Sequence, residues 1–113
     1  ISTTAALTTY LNSDFRSLVW DEDKKPLYVD IMKELYAVSE AEGIGLYEGI
    51  IEDMLKYGGS LPAGTTSSMN SDYLAGRNTE IETLIGVVVR LGQKYGITTP
   101  VYQKVYEKLK RDK

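Results

Sequence analysis

The sequence predicts an all-α fold, a compact bundle of about six helices. Three observations carry the prediction. Apolar residues recur at helical rather than alternating spacing along almost the whole chain. Glycines and prolines fall mostly between the periodic segments, where helices start and stop. The chain's 113 residues, 42% hydrophobic and 26% charged, suit one globular domain with a core of its own.

The elements follow in order. Residues 3–12 carry Ala6, Leu7, Tyr10 and Leu11 at helical offsets, and a polar stretch follows around Trp20-Asp21-Glu22-Asp23. Pro26 suits a first helical turn, and Leu27, Ile31, Leu35 and Val38 continue from it as a stripe flanked by Tyr28, Met32 and Tyr36. Gly43 and Gly45 end that helix. Residues 46–57 repeat the pattern with Ile50, Ile51, Met54 and Leu55 and stop at Gly58-Gly59, before the loop Ser60-Leu61-Pro62-Ala63-Gly64.

A shorter, more polar helix spans residues 65–75 and closes at Gly76. Thr79 and Glu82 then form a capping box, in which each side chain satisfies the other's backbone amide. The helix they open runs to about Tyr95 and is apolar almost all round, at Leu84, Ile85, Val87, Val88, Val89 and Leu91. Such a helix belongs at the buried centre of a bundle. Gly96 closes it, and Thr99-Pro100 caps and opens the last helix, which reaches about Lys110 with Val101, Tyr102, Val105, Tyr106 and Leu109. With no repeat, low-complexity tract or internal linker, residues 1–113 read as one domain.

Composition narrows the function classes. A net charge of −3 offers no basic surface for phosphates, so nucleic acid is not the expected partner. With no cysteine there is no disulfide or thiolate chemistry, and with no histidine the commonest acid–base group and metal ligand is missing. Neither a metal site nor a serine–histidine triad is expected. The longest apolar run, residues 85–89, is far too short to cross a bilayer, so no membrane partner is expected either. The chain starts at Ile1 without an initiator methionine, and residues 1–7 read as the middle of an apolar helix, so a piece of a longer protein is expected.

The strongest chemical candidates are the hydroxyls of Ser67-Ser68 on the polar helix and, after the Gly76 turn, the Glu80 carboxylate at the start of the apolar helix. A carboxylate there is favoured by the helix N-terminus, although caps and first-turn acids would look the same. Asp21-Glu22-Asp23 lacks neighbouring ligands and precedes Lys24-Lys25, as in a solvated loop. The nine tyrosines mostly sit beside aliphatics at helical spacing, which suits packing. Gly43-Ile44-Gly45 lacks the strand and third glycine of a dinucleotide fingerprint, and Gly58-Gly59 and Gly64 lack the lysine of a P-loop.

Several short elements in fixed order carry a resemblance. Ser67-Ser68-Met69-Asn70-Ser71-Asp72, then Gly76-Arg77-Asn78-Thr79-Glu80-Ile81-Glu82, then Gly86, and Gly96-Ile97 to Pro100, resemble the C-terminal domain of ketopantoate reductases (2-dehydropantoate 2-reductases). The resemblance implies the helical fold seen at the C-terminus of 6-phosphogluconate dehydrogenase. It also implies a two-domain, cytoplasmic enzyme that reduces 2-dehydropantoate, or a related 2-oxo acid, with NADPH on the way to pantothenate and coenzyme A. Its N-terminal Rossmann domain would hold most of the NADP and is not part of this chain, and the active site would lie in the cleft between the domains.

Residue by residue, the resemblance makes Ser68 a substrate contact and Glu80 a contact on the cofactor side. It places the family's catalytic lysine upstream of Ile1, so the chain holds no catalytic residue and is expected to be inactive alone. Three positions where the family has asparagine fall on Ile1, Ala5 and Phe15. Either the register differs there or the 2-oxo acid does. Isolated roles for the domain would be shaping the substrate wall and forming a homodimer. The alternative is a stand-alone helical protein-interaction module without catalysis.

Overall fold

The computed structural model describes residues 2–76 and 80–111. Its elements are α1 (Ser2–Leu11), α2 (Phe15–Trp20), α3 (Lys24–Ala41), α4 (Ile50–Ser60), α5 (Ser68–Leu74), a single π turn (Glu82–Gly86) leading into α6 (Val87–Tyr95), and α7 (Pro100–Arg111). No strand occurs among the described residues, and none of their helices is long and apolar enough to cross a membrane.

The all-α expectation holds, with seven α-helices among the described residues where about six were expected. The extra one is α2. Six residues are too few to show a periodic stripe, and its start depends on a local cap in which the Asp14 carboxylate accepts the Ser17 amide at 2.8 Å. A second difference is that α4 runs through Gly58-Gly59 to Ser60 instead of stopping before them. These glycines serve close approach: a Cβ on Gly58 would stand 3.3 Å from Val19 Cγ2, and one on Gly59 3.1 Å from Val19 Cγ1. The Trp20 indole also donates to the Gly59 carbonyl at 3.0 Å, fixing α2 across α4.

Helix α1 is buried from Ala5 through Thr9, so it has no polar face to show there. Its buried hydroxyls donate back along the helix, Thr8 to the Thr4 carbonyl and Thr9 to the Ala5 carbonyl, both at 2.7 Å. Around α1 pack α3, α5 and α7, while α7 also covers α6 and the π turn. Leu7, Leu18, Ile31, Ile85, Tyr102 and Leu109 are fully buried in the resulting core. Most of these side chains sit at positions the apolar stripes marked.

One cap differs from expectation. At the start of α7 the amides of Val101 and Tyr102 donate to Glu34 of α3, at 2.8 and 2.9 Å, rather than to the Thr99 hydroxyl. Desolvation raises the Glu34 pKa, and the two amide bonds oppose that rise. The expected capping box falls partly on Thr79, which lies outside the described residues. Its other member, Glu82, accepts the Tyr106 hydroxyl at 2.8 Å and Arg90 Nη1 at 3.0 Å. Gly86 makes room for that cluster, because a Cβ there would stand 2.8 Å from Glu82 Oε1 and 3.0 Å from Tyr106 Cε1.

Candidate functional site

A cavity of about 700 Å³ opens where α1, α3, α4, α5 and the π turn converge. Its apolar lining includes buried Ala5, Tyr28 and Met69, with Phe15, Met54 and Leu84 half-buried around them. Its polar lining comes from Thr4, residues 65–68, Asp72 and Glu80. Ser68 and Glu80, twelve positions apart in sequence, are thus brought to one hollow, and both are exposed to it. The connecting residues Arg77, Asn78 and Thr79 lie outside the described ones.

Ser68 is held by its neighbours. Ser67 caps α5, its hydroxyl accepting the Asn70 amide at 3.1 Å, and the same hydroxyl pairs with Thr8 Oγ1 at 2.6 Å. Ser67 is therefore a structural hydroxyl, which leaves Ser68 free of the cap. The Asn70 side-chain amide donates to Thr66 Oγ1 at 3.0 Å and Asn12 Oδ1 at 3.3 Å. Thr66 in turn donates to the Ser13 carbonyl at 2.8 Å. The Asn70 side-chain oxygen stays buried without a partner.

Segment 64–67 is stitched to segment 12–15 at two further points. The Phe15 amide donates to the Thr65 carbonyl, and the Gly64 amide donates to Asp14 Oδ2, each at 2.8 Å. Asp14 thus serves α2 with one oxygen and the cavity-side loop with the other. Its bonds to Ser17 and the Gly64 amide pull its pKa down to about 2.

The π turn begins two residues after Glu80. Thr83 donates its hydroxyl to the Glu80 carbonyl at 3.3 Å, and the Leu84 amide donates to the same oxygen at 2.9 Å, which anchors the backbone at that residue. Single π turns inside α-helices recur next to functional positions because they re-aim the residues around them. Here the turn carries Leu84 into the cavity wall.

Among the described residues the charged lining of the hollow is acidic. Two carboxylates, Asp72 and Glu80, border it, and no lysine or arginine is among the described lining residues. On the floor, burial pushes the Tyr28 pKa up to about 12, so its hydroxyl stays protonated as a donor. Asp21, at the acidic run, is engaged in a local turn, its Oδ1 accepting the amides of Asp23 at 2.8 Å and Lys24 at 3.2 Å.

Of the positions the resemblance singled out, Ala5 and Phe15 both line the cavity, while Ile1 lies outside the described residues. Sequence reading left Met54, Tyr57 and Leu61 out of the site. Their spacing marks a packing face, and only the approach of α4 to α2 turns it toward the hollow.

Comparison with known proteins agrees with the all-helical frame. The model of the family described as ketopantoate reductase PanE/ApbA C terminal matches residues 1–113. The chain is 35% identical over 85 residues to the 2-dehydropantoate 2-reductase of Vibrio cholerae, covering 75% of this chain and 29% of that protein. The crystal structure of 2-dehydropantoate 2-reductase from Methylococcus capsulatus superposes with a TM-score of 0.86 at 26% identity, over 96% of this chain and 34% of that one. A ternary structure of D-mandelate dehydrogenase with NADH and anilino(oxo)acetate shares the fold at 24% identity and a TM-score of 0.80, over 97% of this chain and 36% of the other. The chain thus spans about a third of the length of these relatives. Carrying the serine, glutamate and glycine elements on an all-helical frame matched from end to end, it belongs to the ketopantoate reductase family as the C-terminal domain.

Proposed function

We propose that this chain is the substrate-side and dimerisation domain of a cytoplasmic, NADP-dependent reductase of 2-dehydropantoate or a related 2-oxo acid, acting in pantothenate and coenzyme A synthesis. The observation that carries the reading is the shared hollow, where the Ser68 hydroxyl and the Glu80 carboxylate meet an apolar floor. Ser68 can hydrogen-bond the substrate's carboxylate or carbonyl oxygen. Glu80 can accept hydrogen bonds from a ribose hydroxyl or from an ammonium group.

The described residues fit only the edge of the cofactor. They include no strand-to-helix glycine turn, and no basic side chain among them borders the cavity to meet a diphosphate, whereas Glu80 suits hydroxyl groups. NADPH, bound mainly by an N-terminal Rossmann domain, would supply the hydride. The carbonyl carbon gains that hydride and its oxygen gains a proton, which gives a 2-hydroxy acid. An anionic substrate beside the Glu80 carboxylate needs a compensating cation, and the family lysine is the group that would provide it. The domain alone therefore orients and encloses the substrate without turning it over.

The test is steady-state kinetics of the full-length protein with NADPH and a 2-oxo acid. Losing one hydrogen bond to a charged group costs about 1.5–3 kcal/mol, or roughly 10- to 150-fold in kcat/KM. Ser68→Ala and Glu80→Gln should each fall in that range with folding intact. Wild-type kinetics in both variants would take these residues out of the site.

A further inference from the structure

We infer that the 2-oxo acid taken by this site carries a bulky, apolar side chain, with an aromatic ring the best fit. The inference rests on the reductase reading above and adds what the cavity wall says about the substrate. At about 700 Å³ the hollow is within the roughly 300–1,000 Å³ of small-molecule sites, so the substrate need not be minimal.

The lining of the hollow is of two kinds. Thr4 and residues 65–68 supply hydroxyls suited to the oxo-acid head, and Asp72 and Glu80 add carboxylates beside them. The rest of the lining includes Phe15 of α2, Met54 and Tyr57 of α4, Leu61 of the following loop and Leu84 of the π turn. Phe15, Met54, Leu61 and Leu84 have no polar side-chain atom to offer. A small hydroxylated side chain set against them would lose water and gain no partner.

An apolar side chain loses nothing there, and each further methylene it buries is worth about 10- to 200-fold in specificity. An aromatic ring gains more. Tyr57 stands 64% exposed and Phe15 half-buried at this wall, so the two present ring surface for offset or edge-to-face contact. Met54 supplies a soft, adaptable surface that tolerates variation in ring position.

The experiment measures kcat/KM of the full-length protein with NADPH for four acids: 2-dehydropantoate, 3-methyl-2-oxobutanoate, phenylpyruvate and phenylglyoxylate. At least one aromatic acid should exceed 2-dehydropantoate by about tenfold or more, the span of a single well-buried methylene. Phe15→Asn should lower the aromatic value by about tenfold and narrow the gap. Leu61→Asn, in a loop, should narrow it in the same direction and serves if the Phe15 variant does not fold. A preference for 2-dehydropantoate, or an aromatic preference untouched by both variants, would overturn the inference and leave the reductase reading standing. No NADPH-dependent turnover of any of the four acids would instead remove the reductase reading, and this inference with it.

Discussion

Asp14 is small, nearly solvent-exposed and easily overlooked, yet it links helix α2 to the loop that borders the cavity. Its Oδ1 accepts the Ser17 amide and its Oδ2 the Gly64 amide, both at 2.8 Å. Folding lowers its pKa from an ordinary 3.8 to about 2, led by the bond to Ser17 and then the bond to Gly64. At about 1.36 kcal/mol per pH unit that fall sets a ceiling of roughly 2.4 kcal/mol, which solvent screening at this exposed site cuts to about 1 kcal/mol. The measured range for helix caps, about 0.5–2 kcal/mol, agrees. Asp14→Asn keeps a capping oxygen for Ser17 and turns an amide NH2 toward the Gly64 N–H. It should lower stability by about 1 kcal/mol at neutral pH, or about 3–6 °C in Tm. Because folding depresses this pKa, the contribution is complete above about pH 4 and disappears as the pH falls toward 2. Urea titrations read by circular dichroism and by fluorescence of Trp20, whose indole bonds to Gly59 across the α2–α4 contact, would follow it. The wild-type advantage should shrink steadily on acidification. A gap that is absent at neutral pH, or that holds constant down to pH 3, would refute the account.

Two further substitutions test how the last helix is held. Gly92→Ala would place a Cβ 2.8 Å from the Ile97 carbonyl oxygen and 3.0 Å from Thr99 Cγ2. Backbone cannot yield there as a side-chain tip can, and a loss of about 1–3 kcal/mol is expected in chemical denaturation despite alanine's better helix propensity. Glu34→Ala strips the acceptor from the amides of Val101 and Tyr102 at the start of α7, and Tyr102 is fully buried. The expected loss is about 2–4 kcal/mol, with Glu34→Gln recovering part of it through its remaining oxygen. Equal stability of the alanine variant and the wild type would mean that water replaces the glutamate.

What the sequence showed and what it hid divide along physical lines. Helix α3 was legible because Ile31 and Val38 repeat at helical spacing and both end up buried. The end of α6 was legible because Gly96 takes a φ of 68°, a conformation glycine adopts freely. Gly58 and Gly59 gave the same signal for a different reason. They sit within a continuing helix and make room for Val19, which no local window reveals. The cap of α7 escaped in the same way, since Glu34 lies 67 residues from the amide of Val101 that it accepts.

The same division runs through the site. Ser68 and Glu80 could be singled out as candidates because each lies in a short contiguous motif, and a motif survives as a pattern even when its partners are distant. The apolar lining has no such pattern: Phe15, Tyr28, Met54 and Leu61 come from three helices and a loop. In sequence Tyr28 and Met54 read as packing and Leu61 as loop, and Phe15 stood out only as a position where the resembled family has asparagine. What brings Phe15 and α4 together at the hollow is the crossing of α2 over α4, which two glycines permit and the Trp20 bond to Gly59 secures. The head group of a substrate is thus written locally and its side chain only in the tertiary fold.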